Sequence, residues 1–296
     1  MGLILENVSK SFVGKKVVDS ISLELNEPGV YGLLGTNGAG KTTTIRMILG
    51  ILKKDQGKIT WNGKEVNRKS VNFGYLPEER GIYPKTKIYD QLMYFAELKG
   101  MNKNDADKSI RRWAKELKVE EYMELTAEKL SKGNQQKIQF MTAIIHSPEL
   151  VILDEPFSGL DPVNTELLKD IIIKLIREGK YVIMSAHQMA TIEEFCKDIL
   201  ILNKGKTVLQ GNLKEIRNTY PVNRLKIEVD RKIDSYFDEF GFVIENEKDN
   251  EYMLKIDSEE KAHKLLNNII SAGVKVNKFE IMKPTLNDIF IEKVGE

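Results

Sequence analysis

Gly35-Thr36-Asn37-Gly38-Ala39-Gly40-Lys41-Thr42 follows the apolar run Val30-Tyr31-Gly32-Leu33-Leu34 and opens the periodic stretch Thr43-Thr44-Ile45-Arg46-Met47-Ile48-Leu49. That order reads strand, glycine loop, helix. Glycines let the backbone fold tightly, so several N–H groups point inward while the helix adds the positive end of its dipole. A concavity of this kind holds phosphate, and the whole run from Gly35 to Thr43 is expected to line it.

The pattern is G-x-x-x-x-G-K-[ST], the P-loop. Lys41 is expected to reach the β- and γ-phosphates of a nucleotide, and the Thr42 hydroxyl to complete the shell of a Mg²⁺ ion. The remaining composition narrows what that nucleotide serves. Lysine and arginine balance aspartate and glutamate to within a net charge of +1 over 296 residues, so no basic field favours nucleic acid, which is not expected as a partner. Cys196 is the only cysteine and there are three histidines, none paired at ligand spacing. An intramolecular disulfide and a transition-metal site are therefore both excluded. Met1-Gly2-Leu3-Ile4-Leu5-Glu6 lacks the basic-then-apolar pattern of a signal peptide, and no apolar run approaches the ~20 residues of a spanning helix. A soluble chain is the expectation.

Alternating strand and helix patterns indicate an α/β class. Leu3 to Leu5 and Val17 to Leu25 read as strands around a turn at Gly14-Lys15-Lys16, with Phe12 just before it, where an aromatic face can stack on a base. Gly57 to Lys64 reads as a strand entering an Asn62-Gly63 hairpin turn, and Phe73 to Leu76 as a short strand stopping at the loop Pro77-Glu78-Glu79-Arg80-Gly81. Ile88 to Lys99 and Asp105 to Leu117 carry helical periodicity and form a small helical layer. Ser131 is placed as the cap before a helix over Ile138 to His146. Leu150-Val151-Ile152-Leu153 and Tyr181-Val182-Ile183-Met184 are continuous apolar runs, as in strands covered on both faces.

The first of those runs ends in Asp154-Glu155. Asp154 is suited to hold Mg²⁺ directly or through water, and Glu155 to orient and deprotonate an attacking water. The second is followed by Ser185-Ala186-His187, and His187 is suited to donate a hydrogen bond to γ-phosphate oxygens. Ligands of open α/β sheets sit at the C-terminal ends of strands. Gly35, Asp154 and His187 all lie just past such ends.

Taken together these residues resemble the ATPase subunit of an ABC transporter over roughly Leu3 to Leu213. The motifs fall in that family's order: P-loop Gly35 to Thr43, signature Leu130 to Gln136, Walker B Val151 to Glu155, D-loop Ser158-Gly159-Leu160-Asp161, switch His187. The resemblance implies an α/β P-loop NTPase with a mixed sheet core, an antiparallel β subdomain and a helical subdomain. It implies Phe12 at the adenine-stacking position, and Ser131, Gly133 and Asn134 touching the γ-phosphate held by a second copy in a head-to-tail ATP sandwich. Glu78 and Asp161 then fall at positions that couple the site to its partners, Glu78 also sensing Mg²⁺ together with Thr42 and Asp154. Three positions in two motifs depart from the family pattern: Lys132 and Asn134 replace the third and fifth residues of L-S-G-G-Q, and Glu78 stands where glutamine is usual.

Leu76-Pro77-Glu78-Glu79-Arg80-Gly81, the Leu130-Ser131-Lys132-Gly133 signature and the ending Pro284 to Phe290 look like the exporter-type branch, whose members pair with separate integral membrane permease subunits on the cytoplasmic face of the membrane. The division expected is residues 1–220 for the ATPase domain, its helical subdomain at about 85–147, and 221–296 for a small α+β accessory domain without a catalytic motif. The competing reading is a soluble ABC ATPase acting on nucleic acid or ribosomes. Against it, the gap between P-loop and signature holds two short helices rather than long coiled coils, and the chain carries one ATPase domain rather than two.

Overall fold

Leu150 to Leu153 form an interior strand, with every side chain buried. The computed structural model describes residues 2–67, 72–79, 81–185 and 189–295, and the chain divides into two units, Met1–Gly211 and Asn212–Glu296. In chain order the first unit runs β1 (Leu3–Phe12), β2 (Lys15–Leu25), β3 (Gly29–Gly35), α1 (Lys41–Ile48), β4 (Gln56–Trp61), β5 (Lys64–Glu65) and β6 (Phe73–Leu76). It continues through α2 (Ile88–Leu98), α3 (Lys103–Glu116), α4 (Lys132–Ile144), β7 (Leu150–Asp154), α5 (Pro162–Arg177), β8 (Tyr181–Ser185), α6 (Met189–Phe195), β9 (Asp198–Asn203) and β10 (Lys206–Asn212).

Six strands form the main sheet in the order β10-β9-β3-β8-β7-β6, with β9, β3, β8, β7 and β6 parallel. Because β8 lies between β3 and β7, their C-terminal ends bring Gly35, Ser185 and Asp154 to one edge of the sheet, and Asp154 stands in register with Ser185. This crossing of strand order is what converts three distant sequence positions into one site.

A second, antiparallel sheet has the order β2-β1-β4-β5. Asn62 and Gly63 at its tight turn both have positive φ, 50° and 80°, as a two-residue hairpin requires. β1 is longer than its apolar start suggests: register shifts after Leu5 carry a polar continuation to Phe12. Leu5, Ile21, Ile59 and Trp61 of this sheet share one core with Leu33, Ile45, Ile48 and Ile152. The helical layer buries Ile88, Leu92, Ala96, Ile110 and Trp113. Asn102 caps α3 by accepting the Asp105 N–H at 2.9 Å.

One helix starts earlier than the sequence pattern indicates. α4 begins at Lys132 rather than Ile138, with Ser131 as its cap, accepting the Asn134 N–H at 3.3 Å. Gln136 and Gln139, polar residues that mask the apolar period, are buried there because their amides reach backbone carbonyls outside the helix.

The second unit runs α7 (Leu213–Thr219), β11 (Arg224–Val229), α8 (Asp234–Phe240), β12 (Val243–Lys248), β13 (Glu251–Lys255), α9 (Glu259–Ser271), β14 (Val276–Met282) and α10 (Leu286–Gly295). Its antiparallel sheet has the order β12-β13-β11-β14. Alternation along β11 buries Leu225, Ile227 and Val229 while Arg224, Lys226 and Glu228 stay half-exposed. The buried set packs on Phe237 of α8 and on Ala262, Leu265 and Ile269 of α9. Phe237 meets Tyr252 edge-on at 4.9 Å between ring centroids. Among the described residues, no helix is long and apolar enough to cross a membrane.

Candidate functional site

The loop between β3 and α1 turns on three glycines in the left-handed region: Gly35, Gly38 and Gly40, with φ of 149°, 78° and 104°. Two of them are also packed from behind. A Cβ on Gly35 would lie 2.4 Å from the Leu202 carbonyl oxygen, and one on Gly40 would lie 2.7 Å from that of Val17. Among the described residues a Cβ on Gly38 would meet nothing within 4 Å, so its backbone conformation is what demands glycine. The loop closes on itself through Ala39 N–H donating to the Thr36 carbonyl at 3.1 Å. Lys41 Nζ reaches back across it to the Gly35 carbonyl at 2.7 Å and the Thr36 carbonyl at 3.3 Å.

In front of this loop is a cleft of about 300 Å³ lined by Val17, Thr36 to Thr43, Glu78, Asp154 and Glu155. Burial lowers the Lys41 pKa, and the charges of Glu155, Asp154 and Glu78 act in the opposite direction. The lysine therefore stands as the positive centre among three carboxylates. Asp154 is buried and accepts the Ser185 hydroxyl at 2.5 Å. The Glu155 N–H donates to Ser185, to both its Oγ and its carbonyl at 3.2 Å. Glu155 itself has φ of 55°, a left-handed conformation that costs a residue with a Cβ on the order of 1 kcal/mol. Sequence reasoning misses both features. A serine ending an apolar strand beside Asp154 was the available signal for the first; a non-glycine residue gives none for the second.

The residues fit a nucleotide triphosphate with Mg²⁺. The loop supplies a close backbone approach, and Thr42, Glu78, Asp154 and Glu155 supply hard oxygen donors to the same cleft. Among the described residues no group of three or more His, Cys, Asp or Glu is gathered as a cage of its own. That suits Mg²⁺, which keeps waters and substrate phosphates in its shell.

Comparison with known proteins decides the family. Residues 18–158 match the ABC transporter family model, and residues 211–294 match that of the ATP-binding protein DrrA1-3-like C-terminal domain. An uncharacterized ABC transporter ATP-binding protein of Bacillus subtilis, YhaQ, is 46% identical over 294 residues, covering 99% of this chain and 98% of that protein. The chain belongs to the ATP-binding subunits of ABC transporters. Among its relatives is the lipopolysaccharide export system ATP-binding protein LptB of Haemophilus influenzae, 32% identical over 230 residues, covering 75% of this chain and 95% of LptB. A solved ATP-binding subunit of an ABC transporter superposes with a TM-score of 0.69 at 28% identity, covering 74% of this chain and 93% of that one. A dimeric bacterial ABC transporter cassette shares the fold, with a TM-score of 0.65 at 21% identity, covering 71% of this chain and 98% of that one.

This ABC ATPase does not gather every residue the motifs name into one cleft. Phe12 ends β1 at the hairpin turn, 44% exposed, with Lys10 Nζ 5.5 Å from its ring centroid; it is not among the residues lining the cleft. Ser131, Gly133 and Asn134 occupy the cap and first turn of α4. Among the described residues a Cβ on Gly133 would meet only Leu160 Cδ2 at 3.5 Å and the Gly159 carbonyl at 3.6 Å, both ordinary contacts that leave room for a side chain. Asp161 caps α5: its carboxylate accepts the Asn164 N–H at 2.9 Å, and that bond lowers its pKa. His187 lies outside the described residues.

Proposed function

We propose that this ABC ATPase is the energy-supplying subunit of an exporter, working as a pair of identical chains beneath integral membrane permease subunits on the cytoplasmic face. The observation carrying the catalytic part is the convergence of Lys41, Thr42, Asp154 and Glu155 on one cleft. The glycine loop and Lys41 bind and orient the triphosphate. Thr42 and Asp154, with Glu78 nearby, would hold Mg²⁺, which when bound neutralises charge on the β- and γ-oxygens. Glu155 takes the proton of the attacking water as it adds to the γ-phosphorus and the bond to the ADP oxygen breaks. His187 is assigned to the γ-phosphate oxygens, and Phe12 to the adenine.

A second copy supplies Ser131, Gly133 and Asn134. The α4 N-terminus, with Ser131 exposed at its cap, favours an anion from outside the chain. Closure of the pair on ATP and reopening after hydrolysis then drive the permease. The export direction leans on the likeness to LptB, whose name places it in a lipopolysaccharide export system; the cargo is a matter for the permease.

Glu155→Gln tests the reading. It is expected to bind ATP, lose at least a hundredfold in turnover, and accumulate as a closed dimer on size-exclusion chromatography with light scattering. Turnover at the parent rate sinks the assignment of the base. Co-purification of the intact chain with an integral membrane protein that alters its ATP turnover supports the exporter, whereas co-purification with ribosomes instead overturns it.

A further inference from the structure

Gln136 closes the signature run in the second turn of α4 and is 6% exposed. Its Nε2 donates to the Pro156 carbonyl at 3.0 Å and lies 3.5 Å from that of Glu155. The backbone it grips is the one that puts Glu155 in its left-handed conformation. On the other side of that residue, the Glu155 N–H is held by Ser185. A sparsely populated conformation persists only where its surroundings over-determine it, and here the two clamps come from different elements, β8 and α4.

We infer that Gln136 is a positioning residue for hydrolysis: it fixes the backbone that aims the Glu155 carboxylate, and so ties that aim to the placement of α4. The same helix presents Ser131, Gly133 and Asn134 in its cap and first turn, and that turn abuts the Gly159 carbonyl and Leu160. Gln136 thereby links the turn that a partner copy's nucleotide would engage to the base of its own site. The inference rests on the proposed roles of Glu155 and of the head-to-tail pair.

The experiment compares the full chain with Gln136→Leu and Gln136→Glu. Gln136→Leu keeps most of the volume and loses the donor. It is expected to lower kcat at least tenfold with the Kd for ATP within twofold of the parent. A purely structural role would instead weaken ATP binding and lower Tm together, and that pattern overturns the inference, as does an unchanged kcat. Gln136→Glu distinguishes further, because a buried carboxyl has a raised pKa and donates to the carbonyl only while protonated. Its rate relative to the parent is expected to fall as pH rises, while the Gln136→Leu ratio stays flat; two flat ratios overturn the inference. In the background of Glu155→Gln, adding Gln136→Leu is expected to change the residual rate less than twofold, since both act through one group. A further tenfold loss there overturns it. If Glu155→Gln alone turns over at the parent rate, the base assignment fails and takes this inference with it. A dead Glu155→Gln beside a fully active Gln136→Leu removes the inference alone.

Discussion

Ser185 and Asp154 stand opposite one another across the parallel β7–β8 pair, and the Ser185 hydroxyl donates to Asp154 Oδ1 at 2.5 Å. The hydroxyl has one proton to donate, and it points at the carboxylate. Its oxygen remains an acceptor, and the Glu155 N–H fills that position. One small side chain thus positions two of the cleft's three acids, Asp154 and Glu155. Ser185→Ala is expected to cost about 2 kcal/mol, since it removes a charge-assisted bond to a buried carboxylate. Urea denaturation measures that loss. Because Asp154 is released from its orientation, the Mg²⁺ concentration giving half-maximal ATP turnover is expected to rise severalfold. An unshifted Mg²⁺ dependence would contradict the arrangement.

The three loop glycines are expected to respond differently to alanine. Gly35→Ala and Gly40→Ala drive a Cβ into the carbonyls of Leu202 and Val17, backbone atoms of the sheets that hold the loop. Both should destabilise by several kcal/mol, on the order of a severe overpacking. Gly38→Ala meets no atom and retains only the cost of its positive φ, about 1 kcal/mol. Thermal unfolding of the three variants checks the order; equal losses would show that conformation rather than contact decides.

Acid sensitivity has a specific source in His146. It is buried just after α4, with Nε2 3.2 Å from the Phe73 carbonyl, which also accepts Lys99 Nζ at 2.9 Å. Burial, and then the Lys99 charge, holds its pKa down at about 4. The unfolded chain titrates near 6.5, so between those values it binds the proton that the folded chain refuses. Stability is therefore lost as pH falls through 6.5 and levels off below about 4. His146→Gln is expected to shrink the difference in unfolding free energy between pH 7 and pH 4.5 by ~2 to 3 kcal/mol. Paired denaturant titrations at the two pH values read this directly.

The glycine loop, the apolar strands and the acids at the end of β7 are legible because each has a local signal: spacing, a buried run, a charge at its terminus. What stays hidden is decided by partners far along the chain. The pattern starts the helix at Ile138, yet Lys132 to Lys137 is helical too, because Ser131 caps it and because Gln136 and Gln139 find carbonyls at Pro156, Pro77 and Glu79. Ser185 looks like the end of a strand until the register sets it beside Asp154. Asp161 reads as a coupling residue from its motif, while the chain itself uses it to cap α5, with Pro162 as the first helical residue.

The second unit has its own buried core and is expected to fold when residues 212–296 are produced alone. Leu225, Ile227, Tyr252 and Leu254 from the sheet close against Phe237, Leu265 and Ile269 from its helices, all 1% exposed or less. Phe237→Ala should cost about 3–5 kcal/mol, comparable to the whole stability of a small domain, and so abolish the cooperative transition. Ile244, on the wholly exposed β12 and 40% exposed, makes the contrast: Ile244→Ala should change stability by no more than about 0.5 kcal/mol. Far-ultraviolet circular dichroism during guanidinium unfolding separates the cases. A parent fragment with no cooperative transition would mean that this core does not suffice by itself, whereas a Phe237→Ala fragment as stable as its parent would mean that the packing of α8 on the sheet contributes little.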